Sequence, residues 1–414
     1  MKINFTHRFF DLFFISLLVF SGGGLLFIVN RNILSLFLFF ISLFILFFMG
    51  KKIKQSIFNS AGLSFLVFLL LLLINYFTAL DSPNFLQYGF NLLSISISFI
   101  FVIHILNNRS HIYFLELLYL ILKVILYHSI LSFFIYFFVS ENLFDVKIGN
   151  HELSSFMYIF YYTTENNVSF IGIDFIRNQG LFWEPGVNQF YLNLLLFLEG
   201  FIFKKRKWII FLTIFAIITT YSTTGYLIMM IILFTIMKSS FYRKPILSLL
   251  LLLFLIPFYF IAKTNLSPDE FEGSKQNSFA KRSLDLVQPI AIGIDYPLTG
   301  IGLDRDYFQD FRSDYQMEDR YVRFLKNTTG LEKISESTEK GSTNSITYLI
   351  ASMGFPVSLF LLYCFIRQEL VTSRRKIFLV ILILSLISEP ILWRPFFLIF
   401  IVSGMISFFR KFTK

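Results

Sequence analysis

Long apolar runs, each closed by a short cluster of polar or cationic residues, follow one another along almost the whole chain. A helix needs roughly 20 apolar residues to cross the hydrocarbon core of a bilayer, so each run reads as a membrane span. The first five fall at 9–29, 33–50, 61–80, 85–106 and 112–139, the fifth long enough to tilt. Gly22, Gly23 and Gly24 in the first allow close helix approach or a kink. A sixth span, 187–203, stops at Lys204, Lys205, Arg206 and Lys207. The next run, 208–237, is too long for one crossing and has cations at both ends, so it holds an even number of crossings. The polar residues 219–225 mark its break into two short spans, seven and eight, meeting at an outer turn. Spans nine and ten follow at 245–262 and 344–366. The last apolar stretch divides in the same way, at Glu389-Pro390 and Trp393-Arg394-Pro395, into spans eleven and twelve.

The pattern predicts an all-α polytopic membrane protein with about 12 transmembrane helices and two large extracytoplasmic loops. Its segments are 1–139 (spans one to five), 140–186 (first outer loop), 187–262 (spans six to nine), 263–343 (long outer loop) and 344–414 (spans ten to twelve). Composition agrees: 56% hydrophobic against 15% charged residues is more apolar surface than a soluble domain could bury. The net charge of +10 would suit a polyanion such as nucleic acid, but its placement gives another reason for it. Twenty Lys and Arg lie in segments assigned to the cytoplasm, and only Arg31 and Arg394 lie in the short outer ones. This positive-inside bias sets a multi-pass topology with both termini cytoplasmic, and no nucleic-acid partner is implied. The long loop carries 11 basic and 14 acidic residues, and a loop of that length translocates regardless of its charge. A single cysteine, Cys364, within an apolar run excludes disulfides and a cysteine metal site. No small-residue cleavage site marks a removable leader, so the N-terminal run counts as the first span. Internal repeats of the kind found in many transporters are absent.

Between two membrane-grade runs lies the polar, turn-rich stretch Arg177-Asn178-Gln179-Gly180-Leu181-Phe182-Trp183-Glu184-Pro185-Gly186. Pro185 suits a first helical position, which puts Glu184 at the mouth of a membrane helix beside the positive end of its dipole. A helix-capping carboxylate next to an interfacial Trp would explain this much. The pattern R-x-x-G-x-F-x-E-P-G, entering a membrane helix of a Phe- and Leu-rich polytopic chain, also resembles the O-antigen polymerase and O-antigen ligase superfamily. Its members are membrane glycosyltransferases acting on polyprenyl-diphosphate-linked sugars outside the cytoplasm.

The long loop adds to the resemblance. Arg282 is followed by Asp295-Tyr296-Pro297-Leu298-Thr299-Gly300-Ile301-Gly302, similar to the superfamily's arginine and P-L-x-G-x-G segment. Arg282 and Gly293 also have a spacing described for O-antigen polymerases, and Asn344 opens a helix that reaches Gly354. The resemblance implies catalytic roles for Arg177, Glu184 and Arg282, and substrate contacts for Trp183, Arg305 and Asn344. Cleaving a sugar–diphosphate bond needs cations where charge develops on the leaving group, and a guanidinium fork matches phosphate oxygens. Arg305, Arg312, Arg320 and Arg323 are reserves for that task, with a solvated charge or a pair with a neighbouring carboxylate as the plain reading of each. Glu184 is the carboxylate to serve as base, but a helix N-terminus holds it ionised and weakly basic, which favours positioning Arg177 or a sugar hydroxyl. Trp183 can stack on a sugar ring or anchor at the interface.

Two departures select within the superfamily. Ligases carry a histidine just before the asparagine that opens the post-loop helix; here that residue is Thr343, and the long loop holds no His. The hairpin turn, often Ser-Arg, is Ser222-Thr223, so it receives no phosphate-binding role. Of five histidines only His151 lies in an outer loop, without a partner at metal-ligand spacing, so no metal and no cofactor is predicted. Lys123, inside a span, pairs with Glu116 or snorkels unless it is functional. The reading is therefore a polymerase of surface-polysaccharide repeat units, O-antigen or capsule, in the bacterial cytoplasmic (inner) membrane. Its partners are polyprenyl diphosphate-linked oligosaccharides and the lipid bilayer, with a flippase and a chain-length regulator as further candidates. The alternatives are a ligase-type glycan transferase and a transporter or flippase of lipid-linked sugars. A transporter calls for polar residues spread through the spans.

Overall fold

The computed structural model describes residues 5–49, 52–81, 83–148, 151–163, 167–170, 173–237, 274–329 and 342–412. The ninth predicted span, 245–262, lies outside them, as do 263–273 and 330–341 of the long loop. In chain order the described helices begin with α1 (Phe5–Ser21), α2 (Leu25–Val29), α3 (Arg31–Phe44), α4 (Gln55–Phe77), α5 (Phe85–Asn108) and α6 (His111–Val139). Five strands follow: β1 (Phe144–Ile148), β2 (His151–Phe156), β3 (Phe160–Thr163), β4 (Asn167–Phe170) and β5 (Ile173–Ile176). Next come α7 (Pro185–Phe197), α8 (Lys207–Thr219), α9 (Thr223–Met237), α10 (Ser274–Asp295), α11 (Arg305–Asp314) and α12 (Asp319–Thr329). The last three helices are α13 (Ser345–Ile366), α14 (Arg375–Ser388) and α15 (Pro395–Phe409).

The protein is a helical membrane protein. Six stretches among the described residues are long and apolar enough to cross a bilayer: Arg31–Phe48, Gln55–Phe77, Phe85–Asn108, His111–Asn142, Pro185–Phe203 and Ser345–Ile366. Five other predicted spans are the shorter helices α1, α8, α9, α14 and α15, of 13 to 17 residues. At 1.5 Å per residue these reach about 20–26 Å, less than the roughly 30 Å hydrocarbon core. The breaks fall where the polar residues predicted them, at Thr220–Ser222 between α8 and α9 and at Glu389–Arg394 between α14 and α15. The first span ends earlier than its apolar run. Gly23 has φ +137°, a conformation open to glycine, and it stops α1 at Ser21 and turns the chain into the five-residue α2.

The first predicted loop is not irregular. β1, β2 and β3 form an antiparallel sheet, with Phe144 opposite Ser155 and Phe156 opposite Phe160, and β4 pairs with β5. Aromatic and β-branched residues in each strand suit a pleated, half-buried surface. Met157 and Tyr158 close the β2–β3 turn with φ of 53° and 54°, a strained choice for residues with a Cβ.

Two compact units divide the chain. One gathers the described residues of Met1–Leu34, His111–Ala262 and Val371–Ser385. Its centre is α7, buried along its whole length and flanked by α6, α8 and α9. Beyond α7 the chain continues as a π-helical turn, Leu198–Phe203, that carries Glu199, an acid the hydropathy pattern hides. Tyr119 donates to Glu199 Oε2 at 2.6 Å, and the backbone N–H of Arg206 donates to its Oε1. Lys123 lies with its Nζ 4.9 Å from the centroid of the Tyr119 ring.

The other unit gathers the described residues of Ser35–Ser110, Lys263–Leu370 and Leu386–Lys414. Here α15 is the central helix, packed by α4, α5 and α13. Gly404 lets α15 close on α13, since a Cβ there would fall 1.8 Å from the Cys364 carbonyl oxygen. Helix α13 is broken at Gly354, φ +71°, and the Pro297–Gly302 segment fills the break. Ile301 N–H donates to Ala351 at 2.9 Å, Gly302 N–H to Ser352 at 3.0 Å, and Phe355 N–H to Pro297 at 2.8 Å. Asn75 of α4 seals the junction: its Nδ2 donates to the Thr299 and Ser352 carbonyls, and its Oδ1 accepts from Tyr88 and from Leu303 N–H. A broken membrane helix needs such replacement partners, because lipid offers none.

Candidate functional site

In the first unit the motif stretch is a strap between β5 and α7, tied at nearly every residue. Asn178 donates through Nδ2 to the Ser129 carbonyl at 2.8 Å and to Thr219 Oγ1 at 2.9 Å, and its own Oδ1 accepts from Gly180 N–H. Asn188 of α7 donates to the Asn178 carbonyl and accepts from Ser129 Oγ. Gly180 has φ +58°, and a Cβ there would lie 2.7 Å from Ser129 Oγ, so the motif's first glycine is demanded by both conformation and space. Phe182 is fully buried between Phe20 and Tyr191. On the far side Leu25 N–H donates to Leu181, and Trp183 N–H donates to Gly23. The glycine turn after α1 is thus the seat on which the strap rests.

This frame places the predicted residues. Arg177 is half-buried and donates through Nε to the Thr220 carbonyl at 3.2 Å, at the turn between α8 and α9. Trp183 packs on Leu25 and Leu153, which makes it a clamp between α2 and the β1–β3 sheet. Glu184 occupies the N-cap position of α7 by its backbone, with φ −145° and ψ 144°, but its carboxylate makes no capping bond. Nor does it pair with Arg177 or any other described residue, so a capping carboxylate is not what the structure places there. Glu184 remains half-buried at the N-terminus of α7, Pro185 holding the first helical position as predicted.

Sequence reasoning passed over Gln179. Its side chain is 1% exposed, and neither its Nε2 nor its Oε1 has a hydrogen-bond partner among the described residues. Gln189 and Asn193 of α7 are also fully buried, and each leaves one amide atom without such a partner. Leaving buried amides unmet costs about 1–3 kcal/mol each. The signal was present in the sequence as three amide residues within and just after the motif, but amides carry no charge to draw attention.

In the second unit the predicted residues have different surroundings. Arg282 is exposed on α10 and meets no described partner, and three turns later Gly293 faces Ile350 of α13. Arg305 is half-buried in the first turn of α11, beside the N-cap Asp304. Asn344 is buried and caps α13, its Oδ1 accepting from Ile346 and Thr347 N–H. Of the reserve arginines, Arg312 and Arg320 pair with carboxylates and Arg323 meets a backbone carbonyl. Arg312 is fully buried 2.8 Å from Asp285 Oδ1, Arg320 forms an exposed pair with Glu318 at 2.7 Å, and Arg323 donates to the Asp319 carbonyl. Asp285 Oδ2 accepts from both the N–H and the hydroxyl of Thr343. Thr343 is therefore held at the entry to α13 by Asp285.

Chemically, the strap offers an ionisable carboxylate without a described partner, a guanidinium whose Nε is anchored on the Thr220 carbonyl, and a buried amide with no described partner for its donor or acceptor. No cluster of His, Cys, Asp and Glu among the described residues could hold a metal ion. The chain matches no protein-family model, no curated protein and no solved structure.

Proposed function

We propose that the chain is a polymerase of surface-polysaccharide repeat units at the outer face of the cytoplasmic membrane, with twelve spans and both termini inside. It transfers a growing glycan from polyprenyl diphosphate to a lipid-linked repeat unit. The acceptor hydroxyl oxygen bonds to the anomeric carbon of the donor, whose bond to the diphosphate breaks. The hydroxyl gives up its proton, and the lipid diphosphate leaves with the extra negative charge. The observation that carries this reading is the Glu184 carboxylate, presented at the mouth of α7 by a strap whose neighbouring groups are fixed. Arg177, seven residues before it and held by its Nε on the Thr220 carbonyl, is proposed to meet the leaving diphosphate with its guanidinium. Arg282 is proposed as a phosphate contact on its own evidence, an exposed cation following the same superfamily pattern.

Transfer to lipid A-core or protein is the weaker reading, because Thr343 stands at the ligase histidine position and is bound to Asp285. A strain lacking the gene separates the two by what accumulates on the lipid carrier. Single repeat units are expected; long, unattached chains would mean a ligase.

A further inference from the structure

On the polar helix α11 of the second unit and its C-cap, Tyr307, Phe311 and Tyr315 recur at four-residue spacing and present a row of rings. The Tyr307 and Phe311 centroids are 6.0 Å apart, and Phe311 stacks on Tyr315 at 5.8 Å and 27°. The rings are held from behind by the buried cluster Ile292, Ile301, Phe308 and Ala351. Tyr315 is fixed further by donating its hydroxyl to Asp295. In front of the row lies a cavity of about 450 Å³ lined by Tyr307, Asp310, Phe311, Asp314, Tyr315 and Gln316. That volume is within the roughly 300–1,000 Å³ usual for small-ligand sites.

The lining selects its ligand. Ring faces are electron-rich and attract the polarised C–H groups on one face of a pyranose. Asp310 and Asp314 are exposed acceptors at the rim, suited to pairs of sugar hydroxyls. Gln316 adds an amide that both donates and accepts, and burial together with the Asp81 charge pushes the Tyr307 hydroxyl up, so it keeps its proton as a donor. Among the described lining residues there is no cation: Arg312, on the same helix, is buried against Asp285. Two exposed carboxylates repel a diphosphate or a uronic acid. An ammonium group would suit the acids and rings but would leave the Gln316 donors unused.

We infer that this cavity is a subsite for the uncharged saccharide portion of the glycan, a handle on the sugars that is separate from the diphosphate chemistry. Naming the ligand as glycan rests on the proposed function; the geometry of the cavity does not.

The test uses the full chain purified into nanodiscs. The probe is the source cell's own surface polysaccharide, cut by mild acid into fragments of one to three repeat units. Binding is read by saturation-transfer difference NMR and calorimetry. Asp310→Ala/Asp314→Ala removes two exposed side chains and keeps the aromatic packing, and it should weaken binding on the order of tenfold or more. Phe311→Leu, which keeps an apolar residue on the core, should reduce the saturation passed from the protein to the sugar protons and weaken binding as well. Unchanged affinity in the double variant, no binding by the wild type, or displacement by N-acetyl-lysine methylamide with no fragment signal would each overturn the inference. The deletion strain reports on the other reading independently. Normal polymer there alongside fragment binding sinks the polymerase and leaves the subsite, whereas accumulated single units with an unaffected double variant do the reverse.

Discussion

Phe182 stacks on Tyr191 with ring centroids 4.6 Å apart and planes 11° from parallel, and the Tyr191 hydroxyl donates to the Val19 carbonyl at 2.7 Å. The aromatic residue of the R-x-x-G-x-F-x-E-P-G pattern is therefore a fastener between the strap, α7 and the end of α1. Truncating a fully buried Phe to Ala costs about 3–5 kcal/mol. Phe182→Ala should lower the amount of folded protein and its melting temperature in detergent, whereas Phe182→Leu, which refills most of the space, should keep both near wild type. A Phe182→Ala variant that melts normally but makes no polymer would move this ring from packing into the chemistry.

Two arginines of the second unit set a second test. Arg312 and Asp285 form an ion pair with both side chains fully buried, while Arg320 and Glu318 pair at the surface with side chains 60% and 58% exposed. Removing one partner of a buried pair leaves an uncompensated charge and costs about 3–5 kcal/mol. An exposed pair contributes about 0–1 kcal/mol. Arg312→Ala should therefore fold poorly and Arg320→Ala should melt as the wild type does. Equal melting of the two, by intrinsic fluorescence at matched detergent, would contradict the burial argument.

These cases show where a sequence is legible. Hydropathy located the apolar helices but not the polar α10, α11 and α12 of the long loop, and the polar breaks at Thr220–Ser222 and Glu389–Arg394 fell where predicted because lipid tolerates no unpaired backbone. Span lengths were less legible: Gly23 stops α1 through its backbone conformation, which hydropathy does not register. The five strands were missed because a segment read for its polarity as a loop was not read for alternation. Around the candidate site, the motif residues stood out but their duties did not. Arg312 and Arg282 both belong to the predicted long loop, and only the fold buries the first against Asp285 and exposes the second. Gly300 and Gly354 carry part of the superfamily likeness, yet their positive φ and the fit of one backbone against the other account for both without substrate.

The topology rests on the charge asymmetry and is tested by fusion. A reporter active only outside the cytoplasm should be active after Glu318 and silent after Lys207 or Arg375. Activity after Lys207 would undo the parity argument for α8 and α9 and, with it, the outer placement of the strap.

Arg177 and Arg282 are separable because their surroundings differ. Each alanine variant should lose long polymer while the protein accumulates, since one charge-assisted contact to a developing charge is worth on the order of 3 kcal/mol, about a hundredfold in rate. Arg177→Ala should also cost a little stability, because its Nε holds the Thr220 carbonyl; Arg282→Ala, exposed and without a described partner, should not. Lysine should rescue either only in part, being a point charge without the fork. Wild-type polymer length at equal protein level removes that arginine from the mechanism.

Glu184 decides what the strap is for. Its carboxylate makes no capping bond, so Glu184→Gln should change the melting temperature little, where loss of a true side-chain cap would cost about 0.5–2 kcal/mol. The carboxylate stands at the N-terminus of α7 without a described partner, free to accept a hydrogen bond. That points to a carboxylate that orients the acceptor hydroxyl by accepting its hydrogen bond. A glutamine oxygen can accept the same bond without the charge, for a loss of about 1.5–3 kcal/mol, or about ten- to a hundredfold in rate. Glu184→Asp keeps the charge but shortens the reach by one methylene, and it should be the worse of the two. Polymerisation of purified lipid-linked repeat units in nanodiscs, with substrate affinity measured alongside, gives the answer. If Glu184→Gln binds substrate as the wild type does and yet forms no polymer at all, the carboxylate is the base and orientation is the wrong account.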